Sequence, residues 1–407
     1  MLTATASELS ELGKLSTGHT SRGTSREEGL LSNVLQHWVK WLASASAALL
    51  TFGVAPHTAT PNAPATPAPT SVQSLTPQQL AGQRVIYSYT GLTVPTSLIQ
   101  RIEAGEAAGV IFFGDNISND TQIASVVQQL QQANAQSPVK EPLLLMTDQE
   151  GGEVRRLPGE PTQSEKQIGE SSDPAGEAAT AGEEAGHNLA SVGMNLNLAP
   201  VLDVFRTPGD FDDEYQRSYS SDPNVAASAG AAFVTAQQQT GVAATVKHFP
   251  GLGAATASEN TDNVPVTLNV SASDLRNIDE LPYTSAISAG VKLVMASWAI
   301  YPALDPTYPA GLSSTIIQGD LRGRLGFKGV TITDSLGAGA LQNFGATGQR
   351  AVTAAAAGMD LLLCASGTVG QGDDAETGLV NALANGQLSQ SAFTTSVNRI
   401  AALRNSL

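Results

Sequence analysis

Five apolar runs in this chain end in groups that can handle protons or hydroxyls. Residues 143–147 lead into Asp148-Gln149-Glu150, and residues 195–204 take in Asp203. Residues 243–247 close on Lys247-His248, residues 293–296 lead into Ser297-Trp298, and residues 330–333 into Asp334-Ser335. A lone aspartate at such a place often does no more than cap the next turn. A set of carboxylates with a lysine, a histidine and an indole is harder to explain by capping. That combination suits a sugar, whose hydroxyls take paired hydrogen bonds while its C–H face lies on a ring.

Other chemistries fit the sequence less well. No histidine pair occurs at HxH or HxxxH spacing, so a histidine-based metal site is not expected. His187 falls in the helical pattern AGEEAGHNLA and reads as structural. A carboxylate-only Mg²⁺ or Ca²⁺ site is the metal alternative that the spacing leaves standing. No GxSxG surrounds a serine, and Ser335 has no evident histidine partner. The single cysteine, Cys364, follows Leu361-Leu362-Leu363 and reads as a core thiol. It allows no intrachain disulfide and no cysteine-rich metal site. The net charge of −16, from 37 acidic against 21 basic residues, argues against a nucleic-acid groove and fits a neutral polar substrate. No cofactor is expected.

To bring these groups together, the apolar runs must be neighbouring strands. Strands are expected over residues 84–87, 110–113, 143–147, 195–204, 243–247, 293–296, 330–333 and 361–364. Phe249-Pro250-Gly251-Leu252-Gly253 is expected to stop the fifth. Helical patterns over residues 123–135, 178–192, 225–240, 274–289, 315–325 and 351–357 alternate with the strands. Glycines such as Gly193, Gly241, Gly290 and Gly358 fall where those helices close. The pattern predicts an α/β fold, a (β/α)₈ TIM-like barrel forming a single catalytic domain. An open doubly wound sheet is the alternative, weakened by the lack of a GxGxxG after the first strand.

The barrel is expected over residues 74–407, behind three segments of different character. Residues 1–40 are polar, with mixed charge, and are expected to be disordered. Residues 41–55, WLASASAALLTFGVA, are apolar but shorter than the about 20 residues that span a bilayer. They match a signal-peptide core of about 7–15 residues. Residues 56–73 form a Thr/Pro/Ala-rich linker. No cysteine follows the apolar segment to take a lipid. The reading is a secreted or cell-surface protein that meets a membrane only through that segment, if it is uncleaved. A cytosolic protein with a disordered tail is the alternative. The chain is expected to act as a monomer.

Longer motifs occur in a fixed order. They are Asp148-Gln149-Glu150-Gly151-Gly152-Glu153-Val154-Arg155-Arg156-Leu157, Ala199-Pro200-Val201-Leu202-Asp203-Val204 and Arg217-Ser218-Tyr219. Then come Lys247-His248-Phe249-Pro250-Gly251, Tyr301-Pro302-Ala303-Leu304-Asp305 and Gly329-Val330-Thr331-Ile332-Thr333-Asp334-Ser335-Leu336. As a set they resemble glycoside hydrolase family 3, in its single-barrel β-N-acetylhexosaminidase branch. The resemblance implies a retaining, exo-acting β-glycosidase working through a covalent glycosyl-enzyme on N-acetylglucosaminides of cell-wall or chitin fragments. It implies Asp334 as the nucleophile and Asp148, Arg217, Lys247 and His248 as sugar ligands. Independently, Asp334 ends a buried run and is followed by small residues that leave room at an anomeric carbon. Lysine and arginine only donate, which suits hydroxyl and acetamido oxygens. Lys247 could instead pair with Asp203 as scaffold. A β-glucosidase or β-xylosidase of the same family is the nearer alternative, and a weakly active or non-catalytic glycan-binding protein the further one.

The chain departs from the branch at the acid/base. In the branch, a second histidine and then an Asp-x-His pair follow the Lys-His-Phe-Pro-Gly motif, and the pair is the general acid/base. Here Leu252 takes the histidine's place, and Ser258-Glu259-Asn260 the pair's. Glu259 and Asp262, on the same loop, are the tentative acid/base, either needing a raised pKa. Asp213 or Glu214 come next, and a protein that binds sugar and turns it over poorly is the third reading. Trp298 stands where the branch often has a histidine, as a stacking face or a plug.

Overall fold

Eight short parallel strands close on themselves in the computed structural model, which describes residues 74–407. The expectations for residues 1–40, 41–55 and 56–73 fall outside these. The strands are β1 (Val85–Tyr87), β2 (Gly109–Ile111), β3 (Leu144–Thr147), β4 (Leu196–Asn197), β5 (Ala243–Phe249), β6 (Leu293–Ala296), β7 (Val330–Ser335) and β8 (Leu361–Leu363). Each pairs with the next, and β8 returns to β1, giving the closed barrel that the alternation predicts. Helices such as Asp120–Gln136, Pro174–Ser191, Pro223–Gln239, Thr347–Ala357 and Val369–Ala384 surround it.

The strands read as unbroken apolar runs because both of their faces are covered. Alternate side chains point opposite ways. Ile86, Ile111, Leu144, Met146, Leu196, Met295, Ile332 and Leu363 share one buried cluster, the barrel interior. Val85, Tyr87, Val110, Leu145, Val246, Val294 and Leu362 belong to another, facing the helices. The helix Gln390–Arg404 sets Ile400 and Leu403 against the interior cluster. Its Arg404 donates to the carbonyls of Glu141 and Pro142, just ahead of β3. The end of the barrel away from the strand C-termini is thereby closed.

Three elements differ from the expectation. β4 holds only two residues in the ladder rather than residues 195–204, because Pro200 brings no N–H to continue it. A single bridge, Val201 with Lys247, resumes the pairing. β5 runs on through Phe249, which pairs with Ala296, so the break comes at Pro250. The helix expected over residues 274–289 is Ala272–Asp274, a π turn Leu275–Asp279 and Leu281–Ser288. Two hairpins stand on the strand C-terminal side, Gln149–Gly151 with Val154–Arg155 and Ile300–Tyr301 with Asp305–Pro309. Among the described residues no helix is long and apolar enough to cross a membrane.

Candidate active site

A cavity of about 290 Å³ opens at the C-terminal ends of the strands. Its walls include Asp148, Glu150, Arg156, Arg217, Asp262 and Asp334, with Phe113 and Phe211. A larger depression, about 530 Å³, lies at the opposite end, around Lys292, Phe327 and Gly329 just ahead of β6 and β7, and has no carboxylate in its wall. The chemistry sits in the smaller one.

Asp334 is the fifth residue of β7 and is half-buried. Its Oδ1 accepts from the Ser335 N–H at 2.6 Å. The same strand tip is braced by Trp298, whose indole N–H donates to the Ser335 carbonyl at 2.8 Å. Trp298 is buried against Gly311, where a Cβ would fall 2.5 Å from the indole ring. It plugs the rim and does not present a stacking face.

From β3 and β5 a chain of opposite charges runs along one wall. The Lys247 ammonium lies 2.7 Å from Asp148 and 2.6 Å from Glu150. Arg217 donates to both Glu150 oxygens, at 2.9 and 3.0 Å, and to Asp212 at 2.9 Å. Such a fork-to-carboxylate fit fixes direction as well as charge. Burial alone would raise the Glu150 carboxyl, but Arg217 and Lys247 hold it down at about 2. Burial would lower Lys247, yet Asp148 and Glu150 keep it above its ordinary value and charged. Lys247 does not pair with Asp203, the scaffold alternative. Its side chain is 2% exposed, and its charge reaches the cavity through the two carboxylates it orients.

Asp203 belongs to His248. The imidazole Nδ1 and Asp203 Oδ2 are 2.7 Å apart, and Asp203 also accepts from the Leu252 N–H at 2.5 Å. Burial would push His248 down, but Asp203 holds it above its usual value. His248 lies behind the cavity wall and does not line the cavity. Asp212 completes this group: ligand-type atoms of Asp203, Asp212 and His248 all lie within 4.8 Å. Burial lifts Asp212 to about 7.

The loop after β5 separates the two acid/base candidates. Asp262 faces the cavity that holds Asp334. The charge of Asp334, and then burial, raise the Asp262 carboxyl. Glu259 does not line the cavity. Its carboxylate accepts from the Thr256 N–H at 2.8 Å and from the Thr256 hydroxyl at 2.9 Å, closing its own turn. Asp213 and Glu214 are also elsewhere: Asp213 is salt-bridged to Lys166 at 2.8 Å, in a separate open depression that Glu214 also lines. His187 lies exposed on its helix beside Glu183.

The Asp262 segment is stitched to its neighbours through the main chain. Gly339 N–H donates to the Asp262 carbonyl at 2.7 Å, and Ala340 N–H to that of Thr261 at 3.0 Å. On the other side, Ile300 N–H donates to Val266 and Leu268 N–H to Ile300, both at 2.9 Å. The loops after β5, β6 and β7 thus share one hydrogen-bonded seam.

Of the residues named from the sequence, Asp148, Arg217, Asp262 and Asp334 meet in one cavity, whereas Lys247 and His248, expected as sugar ligands, lie behind its wall and Glu259 lies outside it. Sequence reading misses Glu150 as the residue between Lys247 and Arg217. The signal was present, since two-residue alternation sends positions 148 and 150 the same way. Asp212, Arg156 and Phe113 carry no such signal, because their loops bring them in from afar.

Known proteins match this arrangement. The pattern of the glycosyl hydrolase family 3 N-terminal domain matches residues 91–403. The chain is 46% identical over 329 residues to an uncharacterised secreted glycosyl hydrolase of Arthroderma benhamiae, covering 80% of this chain and 93% of that one. It is 31% identical to beta-hexosaminidase A of Pseudoalteromonas piscicida, over 77% of this chain but 56% of that enzyme. A family 3 β-N-acetylglucosaminidase from Paenibacillus sp. superposes with a TM-score of 0.77 at 36% identity, over 82% of this chain and 63% of that one. A β-N-acetylhexosaminidase from Beutenbergia cavernae gives 0.74 at 30% identity, over 82% and 99%. With its closed eight-stranded barrel and a carboxylate cavity at the strand ends, the chain belongs to glycosyl hydrolase family 3.

Proposed function

We propose that this chain is a retaining, exo-acting β-glycoside hydrolase that releases N-acetylglucosamine units, with Asp334 as nucleophile and Asp262 as general acid/base. The observation that carries the reading is that Asp262 and Asp334 line one cavity, the first raised by the charge of the second. A carboxyl raised by a second carboxyl beside it is what an acid working with a nucleophile requires. In the first step Asp334 bonds to the anomeric carbon while Asp262 gives its proton to the departing oxygen. In the second, water attacks that carbon, its proton returns to Asp262, and the Asp334–sugar bond breaks. Asp148, held by Lys247, is preset to accept from sugar hydroxyls, and Arg217, held by Glu150 and Asp212, to donate to hydroxyl or acetamido oxygens. The cavity is at the small end of ligand sites, about 300 Å³ and upward, which fits one ring at the end of a chain. The name of the Pseudoalteromonas relative supports a hexosaminide substrate, that of the Paenibacillus relative an N-acetylglucosaminide, and that of the Arthroderma relative export.

The test is hydrolysis of aryl β-N-acetylglucosaminide beside the β-glucoside and β-xyloside, with Asp334→Ala as control. Wild type should cleave the first best, and the variant should lose at least 10³-fold, a rough figure for a missing nucleophile. Equal turnover by both proteins would remove Asp334 from its role. The missing Asp-x-His pair favours one second reading, a glycan-binding protein without turnover. Calorimetric binding of the sugar with no cleavage of any donor would select it.

A further inference from the structure

A cavity with room for one ring leaves the rest of a longer substrate outside, and the surface beside it is not neutral in this respect. Among the described residues, the large apolar side chains most open to solvent are Leu92, Tyr215, Val264 and Tyr308. All four sit on loops that follow barrel strands, after β1, β4, β5 and β6. Scattered exposed apolar residues need no explanation, but a set confined to one face does.

Tyr308 is the member with a partner of the same kind. It projects from the hairpin after β6, 40% exposed, and its ring stacks at a tilt on Phe344, from the loop after β7, with centroids 6.1 Å apart and planes at 39°. Neither ring lines the cavity. Both are carried by the seam that holds the Asp262 segment: the hairpin through Ile300, the other loop through Gly339 and Ala340. Phe344 N–H is itself bonded to Leu341, at the end of that short turn. The aromatic pair is therefore fixed to the backbone beside Asp262. An acid that protonates the departing oxygen lies on the leaving-group side of the scissile bond. The seam ties the pair to the backbone that carries this acid.

We infer that Tyr308 and Phe344 form a stacking platform for the leaving-group part of the substrate, and that the preferred substrate is an extended β-linked amino-sugar oligomer rather than a compact glycoside. The inference rests on reading the cavity as a glycosidase site. Sugar rings present a C–H face that lies flat on an aromatic ring, and such a contact tolerates variation along the chain. Asp262 and the platform move together because one seam holds both, so stacking also sets the glycosidic oxygen against the acid.

The experiment compares kcat/KM on an aryl β-N-acetylglucosaminide with that on the β-1,4-linked N-acetylglucosamine tetramer, in wild type, Tyr308→Ala and Tyr308→Trp. The platform predicts a loss on the order of 5-fold for Tyr308→Ala on the tetramer, a usual worth for an aromatic contact, with the aryl substrate unchanged. Tyr308→Trp should keep the tetramer rate. An equal fall on both substrates, or no fall on either, would overturn the inference. A second measurement separates it from the catalytic reading: NMR titration of the Asp334→Ala protein with the monomer, dimer and tetramer. Affinity should rise with chain length, and the rise should vanish when Tyr308→Ala is added. If wild type cleaves no donor but that pattern holds, the catalytic reading fails and the platform stands. If cleavage occurs and affinity is flat with length, the platform fails alone.

Discussion

Among the carboxyls that line the cavity, Asp262 is set apart by the charge of Asp334 beside it. Asp262 is raised first by the Asp334 charge, so its proton is retained at pH values where an ordinary carboxyl would have lost it. As the acid, it works in its protonated form, so activity should fall as pH rises through that elevated pKa. Removing the neighbour's charge should lower it. In Asp334→Asn, the Asp262 carboxyl should titrate at lower pH than in wild type, measured by ¹³C NMR. Asp262→Ala should lose on the order of 10²-fold on substrates with poor leaving groups and much less on dinitrophenyl glycosides, and its alkaline limb should disappear. Glu259→Ala should keep both rate and pH profile, because its carboxylate closes a turn with Thr256. These two residues were equal candidates in the sequence. Sequence spacing placed both on one loop, and only the path of the backbone decided which one faces Asp334.

At the scale of elements, the seam between the loops after β5 and β7 is the part most exposed to a small change. Gly339 packs where a Cβ would fall 2.2 Å from the Asn263 carbonyl oxygen. Gly339→Ala must therefore push the Asp262 segment away from β7. The expected outcome is a fall in kcat of about 10-fold or more with KM little changed, since about 1 Å of misplacement costs rate before it costs binding. Steady-state kinetics on the aryl substrate, with circular dichroism to show an intact fold, would check it. Here the sequence was legible where the rule is local and illegible where it is not. Eight apolar runs with intervening helices gave the barrel directly. β4 came out short because Pro200 interrupts a run that looks continuous by hydrophobicity alone. The seam itself joins residues more than seventy positions apart through main-chain groups, which no side-chain pattern records.

For the whole molecule, the buried titratable groups mostly pull stability one way. Burial lifts Asp212, Asp279 and Glu376 each to about 7. A carboxyl with a raised folded pKa holds a proton that the unfolded chain has released, so stability falls as pH rises from about 4 to about 7. His248, held above its usual value by Asp203, adds stability that is present at low pH and lost as pH rises through its folded pKa. Glu150, at about 2, acts the other way: its contribution is present above about 4.5 and is lost only as pH falls toward 2. Tm should therefore be higher near pH 5 than near pH 7.5, by differential scanning calorimetry. Asp212→Asn should flatten the slope between those values. A Tm that rises steadily toward neutral pH would contradict this balance.

The two main-chain hydrogen bonds from Gly339 and Ala340 have one more consequence. A displacement that keeps the sugar's configuration needs its two carboxyls about 5 Å apart, and one that inverts it needs several ångströms more. In this chain the Asp262 backbone is tied to a peptide group five residues beyond Asp334, whatever side chain the loop carries there. Under the proposed roles, changing the acid's side chain alone leaves that backbone tie, and with it the configuration of the product, in place.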